Sequence, residues 1–375
     1  MKRILVWDFP TRIFHWTLAA SFALAWLTSE SDVWLSHHVF FGYLMLGLLV
    51  FRMVWGFAGG TYARFKSFSF TPRAGLEYLR EVFAARAARH IGHNPAGAQA
   101  IYLLLLLVLI VGVTGIFILG GEEQHGLAAG WIGISAGRFF KKIHEASATF
   151  MLLVVAAHVA GVLLESLLHK ENLARSMLTG FKLATSQSVA SKPYRVVAAG
   201  MLVAMLGFGV WWFSYDLHVP PIKGPAVPFI GPKLAQNAQW SEECGSCHLS
   251  FHPSLLPGRS WQRLLAQQGQ HFGADLGLDG ATTVALLAYA NDNAAEKHAT
   301  EAALKIDRSI PSNDVPTSIT QTPYWVRKHH EVTAADWALP WIKSKANCEA
   351  CHQDAQAGTF EDAAMQIPHS APVAR

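Results

Sequence analysis

The sequence predicts a mainly α-helical protein in two parts: a transmembrane helical bundle extended by one further transmembrane helix, then a small, mostly helical or irregular domain in water. Three observations predict it. Of 375 residues, 51% are hydrophobic and only 15% charged, against roughly 25% charged in an ordinary soluble domain. The deficit is local, because Ile13–Ser29, Val33–Phe51, Ile91–Gly121, Ala146–Leu164 and Val196–Tyr215 contain no Asp, Glu, Lys or Arg. Each is close to or beyond the ~20 residues that cross a ~30 Å hydrocarbon core. The C-terminal remainder of the chain is polar and punctuated by Pro and Gly. The net charge of +4 is modest, and no basic run with interleaved aromatics marks a nucleic-acid partner.

The first span starts after Asp8, Pro10 and Arg12. Lys2 and Arg3 imitate the start of a signal peptide, but that polar interruption and the length of the run favour an uncleaved helix. Loop charges set the orientation. Arg52, Arg64, Lys66, Arg73, Arg80, Arg86 and Arg89 lie between spans two and three; Lys170, Arg175, Lys182, Lys192 and Arg195 lie between spans four and five. The opposite loops hold Arg138, Lys141 and Lys142 beside Glu122, Glu123 and Glu145, expected as a solvated rim. Positive loops stay inside, so the N-terminus is expected in the cytoplasm and the C-terminal domain outside. At the outer end of span five, Trp211, Trp212 and Tyr215 are expected at the membrane interface.

Span four is the most informative. In HEASATFMLLVVAAH a histidine stands at each end of an apolar run, His144 and His158. Ionisable side chains in a bilayer usually face the bundle and have a partner. Fourteen steps of 100° bring His158 to within about 40° of His144, ~21 Å further along the axis. That suits two sites stacked across the membrane. By depth His38 pairs with His144 on the outer side, and His15 with His158 on the inner side. Two imidazoles facing one iron, with a porphyrin filling the bundle, fit each pair. His37 competes with His38 and points about 100° away. Gly42, one turn on, leaves room for a porphyrin. His93, near Pro95, reads as a loop or cap residue.

WDFPTRIFHW, HVFFGYLMLGLLVFRMVWG, the following ARF, GHNPAGA and IHEASATFMLLVVAAHVAGVLL resemble the bacterial cytochrome b561 and nickel–iron hydrogenase b-subunit family over residues 1–183. That resemblance implies a four-helix di-haem membrane cytochrome that exchanges electrons with quinone in the bacterial inner membrane, with His15, His38, His144 and His158 at the ligand positions. The fifth span and the rest of the chain depart from that family.

ECGSCH supplies Cys244, Cys247 and His248, and NCEACH supplies Cys348, Cys351 and His352. CxxCH attaches c-type haem through two thioethers and places the adjacent histidine on the iron. The two copies consume all four cysteines. A zinc site made from the same cysteines would leave both adjacent histidines unexplained. Each c haem needs a sixth ligand or an open position, and the candidates are His252, His271, His298, His329, His330, His369 and Met365. CGSCHLSFHPSLLPGRSW, HFGADLGLD, ITQTPYWVRKHHE and KSKANCEACHQDAQAGTFEDAAMQIP resemble the small bacterial di-haem cytochrome c family. Its members are electron carriers outside the membrane, some partnering an oxygen-binding monohaem c-type protein. The resemblance implies His271 and His329 as the remaining ligands, with His330 a competitor for His329.

Three segments result: 1–183, the b561-like membrane domain; 184–239, the fifth span and a Pro-rich linker containing HVPPIKGPAVPFIGPK; and 240–375, the periplasmic di-haem c domain. The linker composition suits a stiff, extended tether. The expected function is electron transfer between quinol in the membrane and a periplasmic soluble redox protein, through two b haems and two c haems. The partners implied are membrane lipid, the quinone pool and that soluble protein; the bundle is also compatible with an oligomer. Alternatives are a superoxide-oxidising quinone reductase with inward flow, a haem subunit for a periplasmic dehydrogenase or hydrogenase, and a haem-based ligand sensor. No nucleophile motif, phosphate-binding glycine loop or paired-carboxylate signature points to side-chain catalysis. Arg12, Arg52 or a carboxylate near either b-type site is a candidate for lining a quinone site.

Overall fold

The computed structural model describes residues 2–30, 34–123, 125–129, 131–185, 188–218, 234–361 and 364–365, with the side chains of 215–218 left aside. The linker from 219 to 233 and His369 lie outside the described residues, as does the side chain of Tyr215. The chain divides into two compact units: Met1–Ile118 with Phe139–Phe213, and Leu119–Arg138 with Ser214–Arg375.

The first unit is built on long helices. β1 (Lys2–Leu5) is followed by α1 (Phe9–Leu27), capped by the Asp8 carboxylate, which accepts from Thr11 N at 2.9 Å. Next come α2 (Leu35–Ala58), the short amphipathic α3 (Pro72–Phe83), α4 (Pro95–Gly121) and α5 (Ile134–Leu168). α6 (Leu173–Thr179), β2 (Phe181–Ala184) and α7 (Arg195–His218) complete it. α5 outruns its charge-free stretch, Ala146–Leu164. α5 has 35 residues, about 52 Å at 1.5 Å per residue, so His144 lies inside the helix rather than before it. Among the described residues four helices are long and apolar enough to cross a membrane: α2, α4, α5 and α7 over Arg195–Ser214. α1 is not one of them, because Pro10, Arg12 and His15 lower its hydropathy, although it packs along α2.

The shared core joins Phe14 and Phe22 of α1, Met45, Leu48 and Leu49 of α2, Leu105, Leu107 and Val108 of α4, Met151 of α5 and Met201 of α7. Leu27, Val50, Phe57, Leu153, Leu163 and Leu206 point outward and are exposed. Such an apolar outer surface needs lipid, not water. β1 pairs antiparallel with β2, Lys2 opposite Ala184 and Leu5 opposite Phe181. Gly180 caps α6 at φ 87°, and its carbonyl accepts from Val6 N and Trp7 N at 2.8 and 3.0 Å. A Cβ there would meet the Trp7 carbonyl at 2.7 Å, so only glycine fits. Of the interfacial aromatics expected on α7, Trp211 is 45% exposed but Trp212 is 1% exposed. Trp212 is a packing residue: its Nε1 donates to Ser36 Oγ at 3.2 Å and its ring lies against Phe40 and Tyr43.

The second unit is made of short helices: α8 (Ala238–Gly245), α9 (Gly258–Ala266), α10 (Gly280–Asp292), α11 (Glu301–Ser309), α12 (Pro323–Lys328) and α13 (Ala334–Trp337). Side chains of Asn237, Asp279, Thr300, Thr322 and Thr333 cap five of them. One core gathers Trp240, Leu256, Trp261, Leu265 and Leu286; a second gathers Leu255, Ala295, Ile306 and Ile310, with Phe251 and Phe360 against it. The segment 119–138 corrects one expectation. Glu145 is exposed, but Glu122 and Glu123 are only 3% and 8% exposed rather than a solvated rim. After α4 the chain turns back, His125 N donating to Leu119 O at 3.0 Å. Gly137, at the start of α5, then lies so near that a Cβ on it would be 3.0 Å from Glu122 N.

Candidate functional site

Four pairs of histidine rings stand at nearly one spacing. In the first unit His15 of α1 faces His158 of α5, centroids 6.5 Å apart, and His38 of α2 faces His144 of α5 at 6.1 Å. In the second unit His248 faces His271 at 6.1 Å, and His329 faces His352 at 6.1 Å. A metal–imidazole bond is about 2.0–2.1 Å and the ring centre lies roughly 1.1 Å beyond the nitrogen, so two rings on opposite sides of one iron have centres about 6.3 Å apart. All four pairs fit one iron each.

Tautomers agree with that use. His38 Nδ1 donates to Ala25 O at 2.8 Å, His144 Nδ1 to Val111 O at 3.0 Å, His248 Nδ1 to Leu249 O at 2.7 Å and His329 Nδ1 to Trp325 O at 2.8 Å. A carbonyl only accepts, so the proton sits on Nδ1 and the Nε2 lone pair is left for a metal. Space is also present, because a Cβ added at Gly42 or Gly161 would meet nothing within 4 Å. In the second unit, burial holds His352 well below the usual histidine range, at about 4, and lowers His271 and His329 as well. A ligand imidazole must be neutral, and burial favours that form here.

The competing histidines are placed elsewhere. His37 packs against Trp34 at 4.8 Å and Phe213 at 5.2 Å. His330 is exposed, its Nδ1 donating to Arg327 O at 2.7 Å. His298 pairs with Asp307 at 2.8 Å. His252 is 5% exposed and has both nitrogens engaged, Nδ1 with Ser254 and Nε2 with Ala235 O at 3.1 Å. Met365 touches His352 through a backbone bridge. The four cysteines are unpaired. Burial raises the Cys244 and Cys348 thiols to about 11. Cys244 lies in the last turn of α8, while His352 is drawn toward Cys348 by a turn in which His352 N donates to Cys348 O at 2.8 Å. Among the described residues no group of three or more His, Cys, Asp or Glu is arranged to hold a metal ion, as a four-cysteine zinc site would require.

His93 carries more than a loop role. Its ring lies 4.8 Å from Trp7 and 4.3 Å from Phe68, and its buried Nδ1 has no partner. Its pKa is pushed down to about 3 by burial first, then by Arg52, Lys182, His158 and His15. It therefore shares the neighbourhood of the His15–His158 pair, which its place in the sequence does not reveal.

Comparison with known proteins matches two separate parts of the chain. The prokaryotic cytochrome b561 family matches residues 6–180, and the dihaem cytochrome c family matches residues 240–360. Two probable Ni/Fe-hydrogenase B-type cytochrome subunits are each 23% identical: that of Rhizobium leguminosarum bv. viciae over 214 residues, 48% of this chain and 90% of the relative, and that of Cupriavidus necator over 217 residues, 48% and 88%. Among solved structures, the diheme cytochrome c from Rhodobacter sphaeroides is 34% identical over 34% of this chain and 100% of its own, with a TM-score of 0.31. The diheme cytochrome type c from Shewanella baltica is 29% identical over 36% of this chain and 96% of its own, with a TM-score of 0.30. Haem b and haem c, transmembrane helices and electron transport come with these families. The chain thus joins a region that matches the prokaryotic cytochrome b561 family to one that matches the dihaem cytochrome c family.

Proposed function

We propose that the chain passes electrons between quinol in the bacterial inner membrane and a soluble periplasmic acceptor through two b haems and two c haems. The observation that carries this reading is the set of four histidine pairs at 6.1–6.5 Å. When bound, each haem supplies a one-electron centre whose potential the surrounding protein sets.

His15 and His158 hold the inner b-type site; His38 and His144 hold the outer one. Cys244 and Cys247 anchor one c haem, with His248 and His271 on its iron. Cys348 and Cys351 anchor the other, with His329 and His352. Backbone carbonyls of Ala25 and Val111 orient the outer pair, and those of Leu249 and Trp325 orient one ring of each c-type pair. α1 serves as the first of five spans, with the N-terminus cytoplasmic and the c domain periplasmic, in accord with the basic loops. The boundaries 1–183, 184–239 and 240–375 separate membrane domain, tether and carrier. Joining donor and carrier in one chain replaces diffusion by a high effective concentration.

A second reading is favoured by the names of the relatives. They are hydrogenase b-type cytochrome subunits, so this chain would take electrons from a periplasmic enzyme instead of giving them to a carrier. Pyridine haemochrome analysis of the full chain tests the shared core of both. Two extractable b haems and two c haems that resist acid-acetone extraction are expected per chain. A single b haem, or a c content below two, contradicts the assignment.

A further inference from the structure

We propose that Arg52 is the counter-ion for a haem propionate in the inner b-type site. The inference rests on the reading that His15 and His158 hold a haem there. Arg52 follows His38 on α2 by the same fourteen residues that separate His144 from His158 on α5. Fourteen residues return a side chain to within about 40° of its starting face, ~21 Å along the axis. Since His38 faces His144, Arg52 comes to the level of His158, on the stripe of α2 that carries the outer ligand. α2 thus presents a histidine at one site and a guanidinium at the other.

That guanidinium has no carboxylate in ion-pair contact among the described residues. Arg52 is 4% exposed and its buried Nη1 has no hydrogen-bond partner. Its carbon sits 4.6 Å from the centre of the Phe65 ring and 5.7 Å from that of Phe68. These rings support a cation but do not neutralise it. Asp8, a buried carboxylate whose charge favours the guanidinium, accepts its hydrogen bonds from Thr11 N at 2.9 Å and Trp55 Nε1 at 3.3 Å and not from Arg52. Among the described residues no carboxylate forms an ion pair with Arg52. A buried unpaired cation is costly, and an intramembrane one normally has a partner. A haem brings two carboxylates and has the complementary need, so each solves the other's problem. Gly56, one turn further on, makes the support possible. A Cβ there would collide with the Phe65 ring, so Phe65 could not lie beneath the guanidinium.

The test is an equilibrium redox titration of the full-length protein in detergent, read separately at the b and c bands, for wild type, Arg52→Met and Arg52→Lys. A cation beside a haem destabilises the ferric form. Arg52→Met is therefore expected to lower the midpoint of one b haem and leave the other b haem and both c haems in place, while Arg52→Lys restores most of the shift. If Arg52→Met instead loses half of the b haem and Arg52→Lys keeps it, the charge pairing also stands. Unchanged b midpoints in Arg52→Met overturn the proposal, and with a raised KM for quinol they reassign Arg52 to the quinol headgroup. Equal loss of b haem in both variants reduces Arg52 to a packing role and overturns it too. A wild type with a single b haem is a different failure, that of the underlying four-haem reading.

Discussion

The membrane unit and the water-exposed unit set histidine rings at nearly the same spacing by different means. In the membrane, His15, His38, His144 and His158 sit on long helices, and α5 alone carries one ring of each pair. A continuous helix fixes both the direction and the depth of each side chain, so a single 14-residue interval positions two sites. In the second unit the helices have between 4 and 13 residues and cannot do this. There His271 stands just before Phe272, which adopts the left-handed region at φ 51°, and His329 is the residue that ends α12. Loops place less rigidly than helices, and on the proposed reading the CxxCH motifs would compensate, since two covalent bonds would hold each haem whatever the distal loop does. Coordination alone would then suffice where the backbone is rigid, and covalent attachment would serve where it is not.

The largest effects test that contrast. Replacing His158 with Ala should remove one b haem, halving the b content and sparing both c haems in the absorption spectrum of the membranes. Retention of both b haems would break the pairing with His15. Replacing His271 or His329 with Ala should do less: the c haem stays covalently bound, and one low-spin centre turns high-spin by magnetic circular dichroism. His330→Ala should leave that spectrum unchanged. Loss of c haem from His329→Ala would mean that the distal loop, not the cysteines, retains it.

Smaller effects sharpen the comparison. Thr300 is fully buried, and its hydroxyl accepts from Ala303 N at 3.1 Å to cap α11. Thr300→Ala should cost about 1 kcal/mol in denaturant unfolding of the second unit, with no change in the b bands. On α3, Tyr78 donates to Glu165 at 2.8 Å and to Ala88 O at 3.0 Å. Burial, then Glu165, raises its pKa. A raised folded value means that this phenol's contribution is complete below the unfolded value of about 10 and is lost as pH rises through the folded one. Above about pH 10 the wild type should therefore lose stability more steeply than Tyr78→Phe, as followed by thermal melting.

Much of the site is legible in the sequence for a physical reason. Helical period and bilayer thickness together give each intramembrane histidine a face and a depth, so the rings the structure brings together, His15 with His158 and His38 with His144, share a level in the sequence too. CxxCH is local and needs no fold to be read. The less legible residues depend on tertiary placement. His93 stands just before α4 yet packs between Trp7 and Phe68. Glu122 and Glu123 look like surface charges until the turn after α4 covers them. Trp212 looks like an interfacial anchor until its indole meets Ser36. The distal c-type rings are legible only through family resemblance, since nothing in the spacing of His271 or His329 sets a distance to a CxxCH motif.

The most direct test of the central claim is anaerobic addition of a reduced quinol to the purified full chain, with the b and c bands followed separately in a stopped-flow spectrometer. Reduction of the b bands first, with the c bands following, is the predicted result. Reduction of the c bands without prior reduction of the b bands, or no response in either, would contradict quinol as the donor and the membrane unit as the entry point.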